Sequence, residues 1–187
     1  MKRVAAKSWN LRRFDVRAFA ESGATLEGDD ALSVFDRLMA ERHADGEAAP
    51  RVRWMARGEM RPDAAGRPSA WVRLQARLDL PVGCQRCLGP VAVPLEVDRW
   101  FRFVEDEASA EAQDDESEED VLALEPKPDL LALIEDELLM ALPLVPMHDE
   151  CPLPLAMPAP SALEAAQAVP EHPGKPHPFA ALSRLRK

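Results

Sequence analysis

The sequence contains no tyrosine, only three cysteines and no apolar stretch as long as a membrane span. Three cysteines are an odd and sparse set, which argues against the disulfide framework of small secreted domains. The N-terminal residues Met1 to Val4 carry positive charge, but no apolar segment of the signal-peptide type follows them. We therefore expect a cytoplasmic protein, in which paired thiols point to metal or redox chemistry.

Motifs that mark common enzyme sites are also missing. The sequence has no Ser/His/Asp arrangement, no phosphate-cradling glycine loop and no dinucleotide-binding fingerprint. Glu135, Asp136 and Glu137 are adjacent on a predicted helix, where consecutive side chains point in different directions, so a shared acid–base site is disfavoured. We expect a protein that is not an enzyme, in which these three acids form a polar helix face or bind a partner.

The residues that are present predict one α+β domain with a small antiparallel sheet over residues 1–187. Hydrophobic residues make up 47% of the chain and charged residues 30%, as is typical of a globular protein. Alternation of apolar and polar residues predicts three strands, near 51–57, 71–80 and 91–103. Pro94 predicts an edge position or a bulge in the third strand.

Two main helices are predicted from apolar residues at helical spacing. The first is capped by Asp29 or Asp30 and ends near Arg42, and the second is capped by Asp129 and stopped by Pro143. The predicted domain has five segments: an N-terminal strand and helix (1–50), antiparallel strands with a C-x-x-C hairpin (51–104), an acidic flexible loop (105–127), a helix with an H-x-x-C loop (128–154) and a Pro-rich basic tail (155–187).

Negative charge is concentrated in one stretch. Ten of the 33 acids lie in residues 105–120, which contain no base, and the other 23 acids match the 23 Lys and Arg residues. Like charges repel and little apolar surface is available there, so we predict a disordered, solubilising loop. Alternatively, this stretch covers a basic surface until nucleic acid displaces it, or binds a basic protein. Because the rest of the chain is neutral overall, the acidic composition does not exclude an RNA partner.

The thiols suggest a metal site. Cys84 and Cys87 form a C-x-x-C pair between two predicted strands, and the His148-x-x-Cys151 motif offers one nitrogen and one more sulfur at comparable spacing. Together they would make a Cys₃His site of the structural zinc type, joining the hairpin to the loop after the second helix. Two other interpretations stay open: ordinary reduced thiols at a turn, and a redox pair in which Arg86 favours the thiolate.

A basic sheet face is the second candidate site. Its members alternate away from the apolar side of the predicted strands: Arg51, Arg53, Arg57, Trp71, Arg73 and Arg77. Arginines interleaved with an aromatic side chain can grip phosphate and stack a base, which predicts RNA binding. The alternative is the solvated side of a half-buried sheet. Such faces usually mix both charge signs, whereas this pattern leans strongly to arginine.

Several motifs of the C-terminal half follow one another in a specific order: Cys84-Gln-Arg-Cys87, the acidic stretch, Asp129 to His148 with its E-D-E and A-L-P-L-V-P-M-H sequences, Cys151, and His177 to Arg186. This order resembles the YceD-like family, also catalogued as a domain of unknown function, over roughly residues 70–187. Members are described as large ribosomal RNA subunit accumulation proteins, needed for synthesis, processing or stability of 23S rRNA. The resemblance implies a role in ribosome biogenesis without an assigned catalytic activity.

The residues and the resemblance together predict a non-enzymatic factor that supports synthesis, processing or stability of 23S rRNA during large-subunit biogenesis. Its expected partners are 23S rRNA or its precursor, a large-subunit ribosomal protein, or both, with no membrane and no small-molecule substrate. Structural zinc is the cofactor considered. The alternatives are a protein-only adaptor or chaperone for a basic ribosomal protein, and a zinc- or thiol-dependent redox protein.

Overall fold

The computed structural model describes residues 8–45, 50–63, 66–114, 117 and 119–152. The predicted Pro-rich tail of residues 155–187 lies outside the described residues. Within them the α+β class is confirmed, and the elements in chain order are a 3-10 turn (Leu11–Arg13), α1 (Val16–Ser22), β1 (Thr25–Ala31), a second 3-10 turn (Leu32–Val34), α2 (Asp36–Glu41), β2 (Arg51–Pro62), β3 (Pro68–Gly83), β4 (Pro90–Val104), α3 (Glu107–Asp114), β5 (Asp120–Ala123) and α4 (Leu130–Met140).

One five-stranded sheet, in the order β1-β2-β3-β4-β5, organises these elements. The first four strands form an antiparallel meander, which confirms the three predicted strands and adds β1. The short β5 pairs in parallel with Phe101–Val104 at the end of β4. In the described part of the chain, the beginning of β4 therefore lies at an edge of the sheet, as Pro94 predicted.

The core lies between one face of this sheet and a layer formed by α1, α2 and α4. Alternate residues of β2 and β3 are buried there, together with Phe19 of α1 and Ile134 and Leu138 of α4. Gly58 of β2 is the contact point for α1, because a Cβ at that position would lie 2.6 Å from the Phe19 ring. No helix among the described residues is long and apolar enough to cross a membrane.

The N-terminal segment is helical where an extended segment was predicted. Asp15 accepts a hydrogen bond from the Ala18 N–H at 3.1 Å and caps α1. Gly23 ends α1 in the left-handed conformation with a φ of 59°. Trp9, Leu11 and Phe14 predicted the extended segment, but Leu11–Arg13 form a 3-10 turn and the caps of Asp15 and Gly23 define a helix directly after it.

The first predicted helix is shorter than its sequence suggested. Asp29 and Asp30 lie in β1 rather than at a helix N-terminus. Asp30 accepts a hydrogen bond from the Trp54 indole at 2.7 Å, so tertiary pairing replaces the predicted capping role. The helical part that remains is α2, which begins only at Asp36.

The acidic flexible loop predicted for residues 105–127 is wrong in part, because this segment contains α3 and β5. A buried arginine from β4 supplies the missing counter-charge. The Arg102 guanidinium donates to Glu119 at 2.6 Å, to Gln113 at 2.8 Å and to Ser117 at 2.7 Å. The sequence pattern showed like charges that repel, whereas the fold pairs one of them, Glu119, with an arginine from β4.

Candidate metal centre and open sheet face

The hairpin between β3 and β4 ends in a tight loop over residues 84–89, as the C-x-x-C motif predicted. The Cys84 N–H donates to the Gly89 carbonyl at 2.8 Å, and the Leu88 N–H donates to the Cys84 carbonyl at 2.9 Å. Leu88 has a φ of 63°, which lets the backbone reverse within the loop. This reversal places both hairpin thiols on one side.

The segment that follows α4 is hydrogen-bonded directly to this hairpin loop. The Gln85 N–H donates to the Pro146 carbonyl at 2.9 Å. Arg86 donates from one guanidinium nitrogen to the His148 carbonyl at 2.7 Å and the Asp149 carbonyl at 3.1 Å. These bonds hold the H-x-x-C motif against the C-x-x-C motif, although about 60 residues separate the two motifs in the sequence.

The four predicted metal ligands come together in one cluster. The ligand atoms of Cys84, Cys87, His148 and Cys151 all lie within 4.8 Å of one another. The Cys84 and Cys151 sulfurs are 3.9 Å apart, and the Cys87 sulfur is 3.5 Å from the His148 Nδ1. A tetrahedral zinc ion with ordinary bond lengths separates two sulfurs by about 3.8 Å and a sulfur from a nitrogen by about 3.6 Å. The donor set and its spacing therefore fit Zn²⁺.

Two further contacts orient the ligands. The His148 Nε2 lies 3.0 Å from the Pro90 carbonyl oxygen. That oxygen can only accept, so Nε2 carries the proton and Nδ1 presents its lone pair to the sulfurs. The Arg86 Nε donates to the Cys151 sulfur at 3.0 Å and holds that sulfur beside the other three ligands.

The electrostatics of the cluster also suit a cation. Burial opposes ionisation of Cys84, but hydrogen bonds from the backbone N–H groups of Cys87, His148 and Arg86 outweigh it and lower the Cys84 pKa to about 5. For Cys87, the Gly89 N–H favours the thiolate, but burial and hydrogen bonds with the two neighbouring thiols raise the pKa. One thiolate thus forms readily, and a bound metal would displace the remaining thiol protons.

The predicted RNA-binding residues lie together on the sheet face opposite the core helices: Arg51, Arg53, Arg57, Trp71, Arg73 and Arg77. Strand pairing also brings acids onto this face. Arg51 donates to Asp29 at 2.7 Å, and Arg73 makes two hydrogen bonds to Asp98, both at 2.8 Å. The expectation that this face leans strongly to arginine is therefore wrong, because β1 and β4 contribute compensating carboxylates. In this pair the Arg73 hydrogen bonds lower the pKa of Asp98.

Arg53 and Arg77 differ from the other arginines on this face. They are directly opposite each other in the register of β2 and β3, and both are exposed. Among the described residues, neither guanidinium has an ion-pair or hydrogen-bond partner. On the outer strands a carboxylate lies across from each of them, Asp29 from Arg53 and Glu96 from Arg77, so two unpaired cations stand between two acids.

A tryptophan pair lies further along the same face. Trp71 and Trp100 meet edge to face with ring centroids 6.5 Å apart. The Arg61 guanidinium lies over both rings, 3.6 Å from the Trp100 centroid and 5.1 Å from that of Trp71. Sequence reasoning included Trp71 but missed Arg61 and Trp100. The alternation of β4 was a usable signal, because Trp100 lies between positions on the buried face.

Two of the three acids of α4 that were predicted to bind a partner are buried and paired with arginines of this chain. Glu135 and Glu137 are only 8% and 7% exposed, which contradicts the surface position that this prediction requires. Glu135 pairs with Arg37, and Glu137 accepts a hydrogen bond from Arg99 at 3.2 Å. Burial raises the pKa of Glu137, and Arg99 offsets part of that rise. Asp136 alone is half exposed, and it pairs with the same Arg37.

Comparison with known proteins gives one family. The family model described as "Large ribosomal RNA subunit accumulation protein YceD" matches residues 72–186. A Haemophilus influenzae protein of the same description is 35% identical over 124 residues, which cover 60% of this chain and 63% of that protein. The chain thus spans less than two thirds of the length of this relative. No solved structure matches.

Proposed function

Because the chain belongs to the YceD family, we propose that it is a non-enzymatic factor that supports 23S rRNA accumulation during large-subunit biogenesis by binding that RNA or its precursor. Direct binding is supported by the guanidinium groups of Arg53 and Arg77, which are adjacent on the open sheet face and have no partner in the described part of the chain. Phosphates are the anions of RNA, and arginine binds them through two parallel hydrogen bonds.

The tryptophan pair adds a means of contacting bases. Single-stranded RNA is commonly bound on open sheet faces where unstacked bases pack against aromatic rings and arginine planes. Trp71, Trp100 and Arg61 form such a group on the same face as the two unpaired cations. The surface therefore suits an unpaired RNA segment better than a regular duplex.

The test compares binding of transcribed 23S rRNA to the full chain and to the double variant Arg53→Ala/Arg77→Ala over a range of salt concentrations. We expect weaker binding, with the slope of log affinity against log salt reduced by about 1.4, since each single-strand phosphate contact contributes about 0.7. The matched control Arg13→Ala/Arg17→Ala removes two exposed charges from the N-terminal turn and α1. Equal losses in both double variants would show that binding depends only on net charge and would reject this surface.

A second arm tests the bases. Replacing Trp100→Ala should weaken binding to an unstructured RNA oligonucleotide about 5-fold or more, since stacking of one base on an aromatic side chain contributes about 1–3 kcal/mol. The same variant should lose nothing on an abasic oligonucleotide of equal length, which keeps the phosphates. A loss of the same size on both oligonucleotides would assign Trp100 a structural role instead.

We further propose that the Cys₃His cluster holds one structural Zn²⁺ in each chain. Four protein ligands close a tetrahedral shell and leave no position for a substrate or a reactive water, which fits a non-enzymatic role. The metal would fasten the β3–β4 hairpin to the segment after α4, and its binding free energy would add to folding stability.

Metal analysis of the full chain purified without added zinc tests this site. We expect one zinc per chain, its loss in Cys151→Ser, and a lower melting temperature after chelation. Glu150→Gln, beside Cys151 but outside the ligand set, is the matched control and should retain the metal. A native protein that contains no metal and melts at the same temperature with and without chelator would remove the proposal.

A further inference from the structure

The loop that follows α4 carries a set of exposed apolar side chains beside the cysteine cluster. Leu144 is 100% exposed, Val145 56% and Met147 52%. Leu88, at the tip of the C-x-x-C hairpin, is 76% exposed. The two loops are joined by the hydrogen bond from Gln85 to the Pro146 carbonyl. We call the four exposed residues the knuckle patch.

These side chains are held in place. Prolines 143 and 146 restrict the backbone on both sides of Leu144 and Val145. The Leu142 N–H donates to Leu139 at one end of the loop, and the cysteine cluster fixes the other end. A rigid loop that keeps aliphatic side chains in water gains nothing for the core, so this part of the A-L-P-L-V-P-M-H motif has no packing role among the described residues.

Leu88 supports the same conclusion independently. Its φ of 63° lies in the left-handed region, where glycine or asparagine is favoured and a branched side chain is strained by roughly 1 kcal/mol or more. A leucine at this position stabilises neither the turn nor the core. Its side chain projects into solvent, where it extends the apolar surface of the opposing loop.

The charges around the knuckle patch identify the kind of partner. Asp149 and Glu150 are exposed, and no ion pair forms on either in the described part of the chain. His43 contacts the Leu88 carbonyl at 3.1 Å, which brings the neighbouring Asp45 close to the patch as well. Arg86, the cation in the same hairpin loop as Leu88, is occupied by backbone carbonyls and a sulfur. An acidic rim around aliphatic side chains repels phosphate and attracts Lys and Arg.

We propose that the knuckle patch binds a segment of a large-subunit ribosomal protein that combines apolar side chains with Lys and Arg. The apolar residues would pack on Leu144, Val145 and Leu88, and the basic residues would pair with Asp149 and Glu150 at the rim. The large-subunit setting of this partner rests on the proposed function. The patch is separate from the open sheet face, so one chain can hold RNA and protein together.

Photocrosslinking tests this surface directly. The photoreactive residue p-benzoylphenylalanine replaces Leu144 in the full chain, which is irradiated with RNA-free protein extracted from large ribosomal subunits. The matched control carries the same residue at Met60, which is 37% exposed near the β2–β3 turn, at the opposite end of the sheet. We expect crosslinks from position 144 to a Lys- and Arg-rich segment, and none from position 60. Asp149→Lys/Glu150→Lys should reduce the yield about tenfold.

Three other crosslinking outcomes overturn the inference. Crosslinks of equal yield from positions 144 and 60 would show non-specific attraction, and crosslinks to a second copy of the chain would show self-association. No crosslink from position 144 would leave the patch without this partner.

The variant Leu144→Ser/Val145→Ser should bind 23S rRNA normally. If it loses that binding, the patch contacts RNA, and the inference fails while the proposed function stands. If the unaltered chain crosslinks but binds no 23S rRNA, the proposed function fails and the inference stands.

Discussion

The carboxylate of Glu135, a residue of α4, caps the N-terminus of another helix, α2. It accepts hydrogen bonds from the backbone N–H groups of Arg37 at 2.7 Å and Leu38 at 3.2 Å, in the first turn of α2. The N-cap residue of α2, Phe35, has no side chain that could accept them. We therefore predict that Glu135→Ala leaves two backbone donors without an acceptor and removes the main link between α2 and α4.

The expected loss is about 2–3 kcal/mol in the free energy of unfolding. Loss of a helix cap costs about 1–2 kcal/mol, and a second unsatisfied, partly buried donor adds about 1 kcal/mol. The ion pair with Arg37 adds little, because the Arg37 side chain is 52% exposed. Both backbone N–H groups donate to the same oxygen, Oε1, so Glu135→Gln, which keeps one oxygen acceptor, should lose less than about 1 kcal/mol.

Urea unfolding of the full chain measures this difference as a shift in midpoint at constant slope. Asp136→Ala is the matched control, since Asp136 is the adjacent acid and pairs with the same Arg37 at the surface. That control should cost less than about 1 kcal/mol. If the two alanine variants lose the same stability, the capping argument is refuted, because Glu135 would then contribute no more than the exposed acid beside it.

Two further predictions concern the sheet. Gly58→Ala should destabilise the protein by about 1–3 kcal/mol in the same assay, because its Cβ would overlap the Phe19 ring, whereas Gly83→Ala, where the nearest atom lies 3.7 Å away, should change little. Arg73→Ala should raise the pKa of Asp98 in an NMR titration, since the Arg73 hydrogen bonds hold it below its ordinary value. The folded state favours the Asp98 carboxylate, so this pair contributes stability above the unfolded-state pKa and loses it as pH falls through the folded one. An unchanged Asp98 pKa in the variant would contradict the pairing.

The central strands could be predicted because their pattern is local. Alternate residues are buried in β2, β3 and β4. This alternation can be recognised in the sequence of each strand without knowing which strands pair with it. β1 gave no such signal, since Glu27, Gly28 and Asp30 break any apolar alternation. Its place depends on Trp54, whose ring lies so close to Gly28 that a Cβ there would be 2.3 Å away. A glycine that receives a ring from the next strand is recognisable only after the strands are paired.

The candidate sites divide in the same way. The clustering of Cys84, Cys87, His148 and Cys151 could be predicted because two short motifs contain both the donor atoms and their spacing. The charge balance of the open face could not be predicted, because Asp29 and Asp98 meet Arg51 and Arg73 only through the sheet register. For the same reason, the pattern of α4 did not show that Glu135 is buried, since its partners come from α2.

The cysteine cluster also has a consequence for the order of events during synthesis. Cys87 leaves the ribosome 61 residues before His148. At about 5–20 residues per second, the first two thiols exist for about 3–12 seconds without their partners. The proposed zinc would be held far less tightly by a two-thiol half-site than by a closed four-ligand shell, so its tight capture would wait until α4 and the segment after it have emerged. A chain that retains the proposed metal would therefore be one in which synthesis has passed α4 and the H-x-x-C motif.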